Sequence, residues 1–136
     1  MYTSEFTCRV RYAETDQMQV VYHGNYVTYY EVGRTEWTRT LGFTYQKMEE
    51  TGIIMPVVRM HMDFLRPLQY DDEITIKTSL PKLPNDHRVT FHQEIWNNGK
   101  IASKAEVTLY FLDRKTMGKA TIPKVLEEVL LPYYQS

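Results

Sequence analysis

The sequence predicts an α+β domain, in which a helix and an antiparallel sheet come from separate parts of the chain. Between positions 25 and 41, apolar residues recur every three or four residues, which indicates an amphipathic helix. Downstream, four stretches alternate apolar and polar residues, and Asn98-Gly99 between two of them is the strongest short signal for a β-hairpin. We therefore expect the helix to cover one face of the sheet.

The chain begins with a predicted strand at residues 5–12, followed by an irregular loop that carries Asp16. Strict alternation places four side chains of this strand on its buried side: Phe6, Cys8, Val10 and Tyr12. The loop leads through Tyr22-His23-Gly24 to Asn25, a favourable N-cap for the helix that follows. Strand, loop and helix start form one continuous stretch.

The helix is predicted to reach Leu41 and to end before Gly42, a residue suited to the position after a helix C-terminus. Its apolar stripe consists of Tyr26, Tyr30, Gly33, Trp37 and Leu41. Its polar face consists of Thr28, Glu31, Thr35 and Arg39. A second helical segment is predicted at residues 43–51, ended by Gly52.

The four later strands are predicted at residues 53–64, 73–80, 88–95 and 100–112. In the first of them, Pro56 indicates a sheet edge or a bulge, because proline cannot donate a ladder hydrogen bond. A short amphipathic helix is predicted to start at Pro123, with Val125, Leu126, Val129 and Leu130 on its apolar side. One sheet on one helix leaves a face and edges uncovered, which predicts self-association.

Length and charge limit the classes of function. The 136 residues suffice for one domain, spanning residues 1–136. Lys and Arg number 16 against 17 Asp and Glu, and a net charge of -1 gives no general attraction to nucleic acid or to an anionic membrane. Cys8 is the single cysteine, and no Cys/His spacing indicates a metal site. Since no stretch approaches the ~20 apolar residues of a membrane span, we expect a cytoplasmic protein.

Asp16, a few residues before a helix start, is the main candidate for chemistry. Free backbone N–H groups at a helix N-terminus stabilise a developing oxyanion, while a nearby carboxylate attacks a carbonyl or activates water. A loop aspartate also commonly forms a turn or caps a helix, so a purely structural reading of Asp16 stays open. The sequence has no Gly-x-Ser-x-Gly elbow and no Gly-rich phosphate loop.

Several segments together resemble a known family. They are Arg11-Tyr12 with Glu14-Thr15-Asp16, Val20-Val21-Tyr22-His23-Gly24-Asn25-Tyr26, Glu31 with Arg34-Thr35-Glu36-Trp37, and, more weakly, Phe64-Leu65-Arg66-Pro67 with Tyr70-Asp71-Asp72. With the predicted element order, they make the chain similar to the hotdog-fold thioesterases of the 4-hydroxybenzoyl-CoA thioesterase class. The resemblance implies a five-stranded antiparallel sheet wrapped around a long central helix. It also implies a homodimer that assembles to a homotetramer, with active sites at the subunit interface.

The resemblance further implies an enzyme that hydrolyses the thioester of an acyl-CoA or an acyl carrier protein. It needs no cofactor, because coenzyme A is part of the substrate. Asp16 matches the family's catalytic carboxylate, and His23 and Gly24 match the positions whose backbone N–H groups bind the thioester oxygen. Tyr22 matches an aromatic residue paired with the histidine, and Glu31 matches an acidic position near the acyl pocket.

Five more residues are candidates for substrate binding. Lys82, His87 and Arg88 occupy the segment where relatives hold the phosphates of coenzyme A. Arg59 and His61 lie on the polar side of the strand at residues 53–64, which in a dimer could line the acyl tunnel. The ordinary alternative for all five is a solvated polar surface.

Alternatives also remain for the site and for the function. His23 could be a general acid, a substrate contact, or a residue of which only the backbone matters. Glu31 could form a helix-surface pair with Arg34 or Thr35. A hotdog module that binds acyl groups without hydrolysing them would not need Asp16, and a hotdog hydratase or dehydratase would give His23 the acid-base role.

Overall fold

The computed structural model describes residues 1–135. The helices are α1 (Asn25–Thr40), α2 (Tyr45–Glu50) and α3 (Lys124–Leu130), with 3₁₀ turns at Tyr12–Glu14 and Leu131–Tyr133. The strands are β1 (Tyr2–Arg9), β2 (Ile53–Ile54), β3 (Val57–Phe64), β4 (Glu73–Leu80), β5 (Arg88–Asn97), β6 (Lys100–Tyr110) and β7 (Leu112–Asp113). In this part of the chain, no helix combines the length and the apolar character that crossing a bilayer requires.

A five-stranded antiparallel sheet in the order β1-β4-β5-β6-β3 forms the body of the fold, as predicted. Asn98 and Gly99 connect β5 to β6 with φ angles of 52° and 71°, the positive values that a type I′ hairpin requires. β3 lies at an edge and has a register shift between Val57 and Arg59, in agreement with the signal from Pro56. β2 and β7 pair separately as a small two-stranded sheet.

The 16 residues of α1 cross one face of the sheet. Near its start, the Tyr26 ring packs edge-on against Phe64 of β3, with centroids 4.9 Å apart. Near its end, Trp37 Nε1 donates to the backbone oxygen of Tyr2 in β1 at 3.0 Å. Between them, Gly33 allows close approach, because a Cβ there would lie 2.6 Å from a β4 side chain. The buried side chains of α1 are Tyr26, Tyr29, Tyr30 and Trp37.

The start of the chain differs from the prediction in two places. The first strand ends at Arg9, and Tyr12 is 76% exposed, because after Arg9 the chain turns to pair with the segment before β4. Asn25 is the first helical residue, and Gly24 occupies the N-cap position predicted for Asn25. The Asn25 side chain instead donates through Nδ2 to the backbone oxygen of Glu14 at 2.8 Å. This long-range acceptor makes the local capping prediction wrong.

Two predicted strands are each divided. The stretch at residues 53–64 forms β2 and β3 with Pro56 between them, and the stretch at residues 100–112 forms β6 and β7. Alternation places Val58 and Phe64 on the apolar side of this stretch, opposite Arg59 and His61, but they are 46% and 50% exposed. The reason is that β3 is an edge strand whose outer side is not covered by another strand of residues 1–135.

The C-terminal ends of α1 and α2 follow their sequence signals, whereas α3 begins one residue later than predicted. Gly42 follows α1 with a φ of 78°, and Gly52 follows α2 with a φ of 73°, as expected for residues after a helix C-terminus. Pro123 is the N-cap of α3 and the helix itself begins at the next residue. Leu126 is buried as predicted, but Val125 is 52% exposed, because it lies on the outer side of this short helix.

Candidate active site

The loop between β1 and α1 folds into a tight turn around Asp16. The Asp16 N–H donates to Val20 O, and the Gln19 N–H donates to Asp16 O, both at 2.9 Å. Asp16 Oδ1 accepts the Met18 N–H at 2.8 Å, which is the pattern of an Asx turn. Oδ2 accepts no hydrogen bond from residues 1–135. One oxygen therefore holds the turn, and the other is available for chemistry.

The start of α1 offers two free backbone donors. The Asn25 N–H donates to Tyr22 O at 2.9 Å, and the Tyr26 N–H donates to His23 O at 3.2 Å. The N–H groups of His23 and Gly24 have no acceptor among residues 1–135. Both residues are exposed, and they lie at the positive end of the helix dipole. This arrangement suits an oxygen that acquires negative charge.

Glu14 connects the loop to the helix through both its backbone and its side chain. Its backbone oxygen accepts the Tyr22 N–H at 3.0 Å and Asn25 Nδ2 at 2.8 Å. Its carboxylate Oε1 accepts the Tyr29 hydroxyl at 2.8 Å and the Arg11 N–H at 2.7 Å. We call this set of four hydrogen bonds to Glu14 the Glu14 junction. It joins the segment that leads to Asp16 to the first two turns of α1.

The Glu14 junction was not anticipated as a unit from the sequence. Glu14 belongs to a segment that carries the family resemblance, and the spacing of the apolar stripe does not include Tyr29. Burial, and then the hydrogen bond to Glu14, raise the pKa of Tyr29 far above its usual range. The capping-box spacing from Arg11 to Glu14 is the one local signal that could have indicated part of this arrangement.

Aromatic rings surround the start of α1. The ring of His23 lies 4.4 Å from that of Tyr22 and 6.5 Å from that of Phe64, measured between centroids. Phe64, at the end of β3, also packs against Tyr26. Tyr22 and His23 are both exposed, so their rings are open to a bound molecule. Phe64 is an additional residue at this site, although alternation puts it on the apolar side of its strand.

The basic residues predicted to hold phosphates lie at the other end of β4. Val21 N–H donates to Leu68 O at 2.7 Å, which fixes the Asp16 loop beside the connection into β4. Lys82, by contrast, comes two residues after Leu80, the last residue of β4. Because an eight-residue strand is about 25 Å long, a single chain does not bring Asp16 and the basic loop together.

Within the basic loop, Arg88 already has a partner. Its Nη2 and Nε lie 2.7 and 3.2 Å from Asp86 Oδ2, and its N–H lies 2.8 Å from Oδ1. These hydrogen bonds lower the pKa of Asp86 to about 2. The His87 ring packs edge-on against Tyr110 at 4.7 Å. Lys82 is exposed and lines a pocket of about 450 Å³ together with Arg88.

The two candidates on β3 are exposed at the sheet edge. Arg59 and His61 both lie in β3, and His61 Nε2 is 3.4 Å from Asp63 Oδ1. Neither residue contributes to the Asp16 turn or to the Glu14 junction. Their position on an edge strand makes them part of a site only where another chain covers that edge.

A cavity of about 810 Å³ opens beside the C-terminal half of α1, a volume within the range of about 300–1,000 Å³ typical of small-molecule pockets. Its apolar lining includes Trp37, Phe43, Met48, Phe91, Phe111 and Leu126. Glu31 and Arg34 border it without forming an ion pair; Arg34 Nη1 donates to Gln93 Oε1 at 3.1 Å instead. Burial lowers the pKa of Arg34. Asp16 and the helix start do not line this cavity.

The described residues contain no metal-type cluster. No group of three or more His, Cys, Asp or Glu side chains within residues 1–135 is arranged to hold a metal ion. Cys8 is a free, partly buried thiol whose pKa is raised by burial and by the charge of Glu14. A raised thiol pKa means a small thiolate fraction, so Cys8 is a poor nucleophile at neutral pH.

Known proteins are similar to this chain in sequence. The sequence profile of the thioesterase-like superfamily matches residues 10–130. YneP of Bacillus subtilis is 36% identical over 117 residues, which cover 85% of this chain and 84% of YneP. YbgC of Haemophilus influenzae, which is named an acyl-CoA thioesterase, is 32% identical over 120 residues and 88% of each chain.

A solved structure is similar to this chain over its whole length. The DHNA-CoA thioesterase of Staphylococcus aureus matches with a TM-score of 0.85 and 31% identity, over 100% of this chain and 97% of that chain. The match therefore includes the Asp16 loop, the start of α1 and the five-stranded sheet. The profile, which matches residues 10–130, covers the Asp16 loop, α1 and the strands β3 to β6, but not β1. The chain accordingly belongs to the thioesterase-like superfamily, as a hotdog-type protein similar to the acyl-CoA thioesterases.

Proposed function

We propose that the protein is an acyl-CoA thioesterase, which converts a thioester and water to a carboxylic acid and a thiol. The observation that carries this proposal is Asp16 with one unshared carboxylate oxygen, in a loop whose Glu14 backbone oxygen accepts hydrogen bonds from Tyr22 and Asn25. These two residues flank His23 and Gly24, whose N–H groups are free. The activity in the name of YbgC supports the same reaction class.

The proposed mechanism begins with the thioester oxygen accepting hydrogen bonds from the N–H groups of His23 and Gly24. In one route, Asp16 Oδ2 attacks the carbonyl carbon, a mixed anhydride forms, the C–S bond breaks, and water then cleaves the anhydride. In the other route, Asp16 takes a proton from a water that attacks the same carbon, and the tetrahedral intermediate then collapses as the C–S bond breaks and the thiolate leaves. In both routes the tetrahedral oxyanion lies against the N–H groups at the start of α1. A thiolate leaves readily, so a strong base is not required.

No cofactor enters either route, because the chain supplies both the carboxylate and the oxyanion donors. Coenzyme A, or an acyl carrier protein, belongs to the substrate. We place the enzyme in the cytoplasm, in keeping with the free thiol of Cys8. The net charge of -1 supports a small-molecule substrate over nucleic acid or an anionic membrane.

We further propose a homodimer that pairs two β3 edges, with α1 as the central helix wrapped by the sheet and two dimers forming a homotetramer. Antiparallel pairing of β3 with its copy places the Phe64 end of one chain beside the Val57 end of the other. This would bring the Asp16 of one chain toward the cavity of its partner. The acyl group would then enter that cavity past Glu31. The cavity borders Leu80, the end of β4 that leads to Lys82, His87 and Arg88. These basic residues would then reach the phosphates of coenzyme A.

The test is Asp16→Asn, which keeps the size of the side chain and removes its charge and nucleophilic oxygen. We expect kcat to fall on the order of 10²-fold or more, with KM little changed. Rates are measured as released thiol over short, long, branched and aryl acyl-CoA esters. Asp71→Asn is the matched control, since Asp71 is an exposed loop aspartate at φ 69° and asparagine tolerates this conformation well.

Activity of Asp16→Asn within a few-fold of the parent would contradict the proposal. The alternative function, a module that binds acyl groups without hydrolysing them, would then replace the thioesterase proposal, provided that acyl-CoA still binds. Hydration of an enoyl-CoA that is lost in His23→Gln but kept in Asp16→Asn would favour the hydratase alternative. Circular dichroism and oligomeric state should be unchanged in Asp16→Asn, because the Asx turn also forms with asparagine.

A further inference from the structure

The Glu14 junction lies close along the chain to both halves of the proposed catalytic site, the Asp16 carboxylate and the N–H groups at the start of α1. Glu14 lies two residues before Asp16, and Asn25, which donates to Glu14 O, directly follows Gly24. A displacement at the junction would therefore change the spacing between the Asp16 carboxylate and the N–H group of Gly24. The proposed mechanism itself gives Glu14 no chemical role.

We propose that Glu14 is a positioning residue, which sets the distance between Asp16 and the oxyanion donors at the start of α1, with Tyr29 as its essential partner. This inference rests on the proposed thioesterase function. Glu14 has no direct contact with substrate in this role. It acts through Asp16 and the helix start.

The environment of Glu14 supports a rigid arrangement. Its side chain is 13% exposed, and Oε1 and the backbone oxygen each accept two hydrogen bonds at 2.7–3.0 Å. Hydrogen bonds to a carboxylate are stronger than those between neutral groups. Tyr29 is buried, and its raised pKa keeps the hydroxyl protonated as a donor across the assay range.

Tyr29, the buried partner of Glu14, should contribute more to its position than Arg11, the exposed partner. The Arg11 guanidinium lies 3.4 Å from Oε2, but its side chain is 79% exposed, and exposed ion pairs contribute little. The Tyr29 hydroxyl reaches Oε1 from the second turn of α1 and is enclosed by the core. Removing the Tyr29 hydroxyl should therefore matter, while truncating Arg11 should not.

The matched experiment compares Tyr29→Phe with Tyr30→Phe. Each variant removes one hydroxyl from a buried tyrosine of α1, but Tyr30 donates to Ser103 Oγ of β6 at 2.5 Å and has no bond to Glu14. A purely structural role predicts that both variants lose thermal stability and behave alike in kinetics. A positioning role predicts that only Tyr29→Phe changes kcat.

We expect Tyr29→Phe to lower kcat about tenfold with KM within about twofold, because small misplacements of reacting groups reduce rate more than binding. Glu14→Gln, which keeps the volume and one acceptor oxygen, should lose less than Glu14→Ala. Tyr30→Phe and Arg11→Ala should keep the parent kcat. In the Asp16→Asn background, Tyr29→Phe should cause no additional loss, because both changes act on the same step.

Two results would overturn the positioning role and leave the proposed function intact. In the first, Asp16→Asn is inactive while Tyr29→Phe and Glu14→Gln keep kcat within twofold of the parent. In the second, Tyr30→Phe lowers kcat as much as Tyr29→Phe does. An active Asp16→Asn would instead overturn the proposed function, whatever the junction variants show. If Glu14→Ala fails to fold by circular dichroism, Glu14→Gln and Tyr29→Phe decide the question.

Discussion

Two cations in one loop, Lys82 and Arg88, differ in the availability of their charge. Arg88 is held by Asp86 through three hydrogen bonds, and because Asp86 is ionised above a pKa of about 2, this pair persists at any assay pH. Lys82 forms no ion pair with residues 1–135. A phosphate would therefore meet a free charge at Lys82 and a neutralised one at Arg88.

Lys82→Ala should raise the KM for an acyl-CoA several-fold at low ionic strength, and the effect should shrink as salt screens the charge. Arg88→Ala should raise KM less, because Asp86 competes with the phosphate. Lys100→Ala, at the hairpin turn, is the control for general charge effects. An unchanged KM in Lys82→Ala across ionic strengths would show that the phosphates are bound elsewhere or remain in solvent.

At the scale of secondary-structure elements, the contact of α1 with the sheet depends on Gly33. A Cβ at this position would lie 2.6 Å from Ile76 Cγ2, 2.8 Å from Thr78 Oγ1 and 2.9 Å from Gln93 Nε2. Thr78 and Gln93 are buried and bonded to each other at 2.8 Å, so neither can move aside cheaply. The helix would have to shift away from β4 and β5.

Gly33→Ala should reduce the free energy of unfolding by about 1–3 kcal/mol, the usual cost of overpacking a core, despite the better helix propensity of alanine. Thr35→Ala, at an exposed position of the same helix, should stay within about 0.5 kcal/mol of the parent. Urea denaturation measures both values. A Gly33→Ala protein as stable as the parent would show that α1 moves over the sheet without cost.

At the scale of the whole molecule, β3 is the least protected part of the sheet. It is an edge strand, and large apolar side chains at its two ends are exposed, including Val57, Val58 and Phe64. Long exposed edges with apolar side chains promote pairing with another chain. Pairing there would also bring Asp16 toward the cavity at the far end of the partner.

Light scattering should accordingly give at least twice the chain mass of 16.2 kDa. Val58→Lys places a charge at the edge and should shift the protein toward the monomer, with a parallel loss of activity because the proposed site needs two chains. Glu73→Lys, an exposed change on β4, is the control. A parent protein that is monomeric and fully active at working concentration would contradict both the dimer and the shared site.

Local patterns were enough to predict most elements of this protein. The spacing of Tyr26, Tyr30 and Trp37 predicted α1, and Asn98-Gly99 predicted the hairpin, because side-chain periodicity and turn geometry depend on neighbouring residues. The sequence likewise placed Asp16 in the loop that leads to a helix start. The catalytic roles of Asp16 and His23 remain predictions.

Contacts between distant residues could be obtained only from the tertiary structure. Asn25 matched an N-cap by its neighbours, yet its side chain bonds to Glu14, eleven residues away. Phe64 fitted a buried position by alternation, yet an edge strand leaves it exposed. The separation of Asp16 from Lys82 by the length of β4 likewise follows from the strand pairing. Periodicity determines which face of an element is apolar, whereas the packing of elements decides which residues meet.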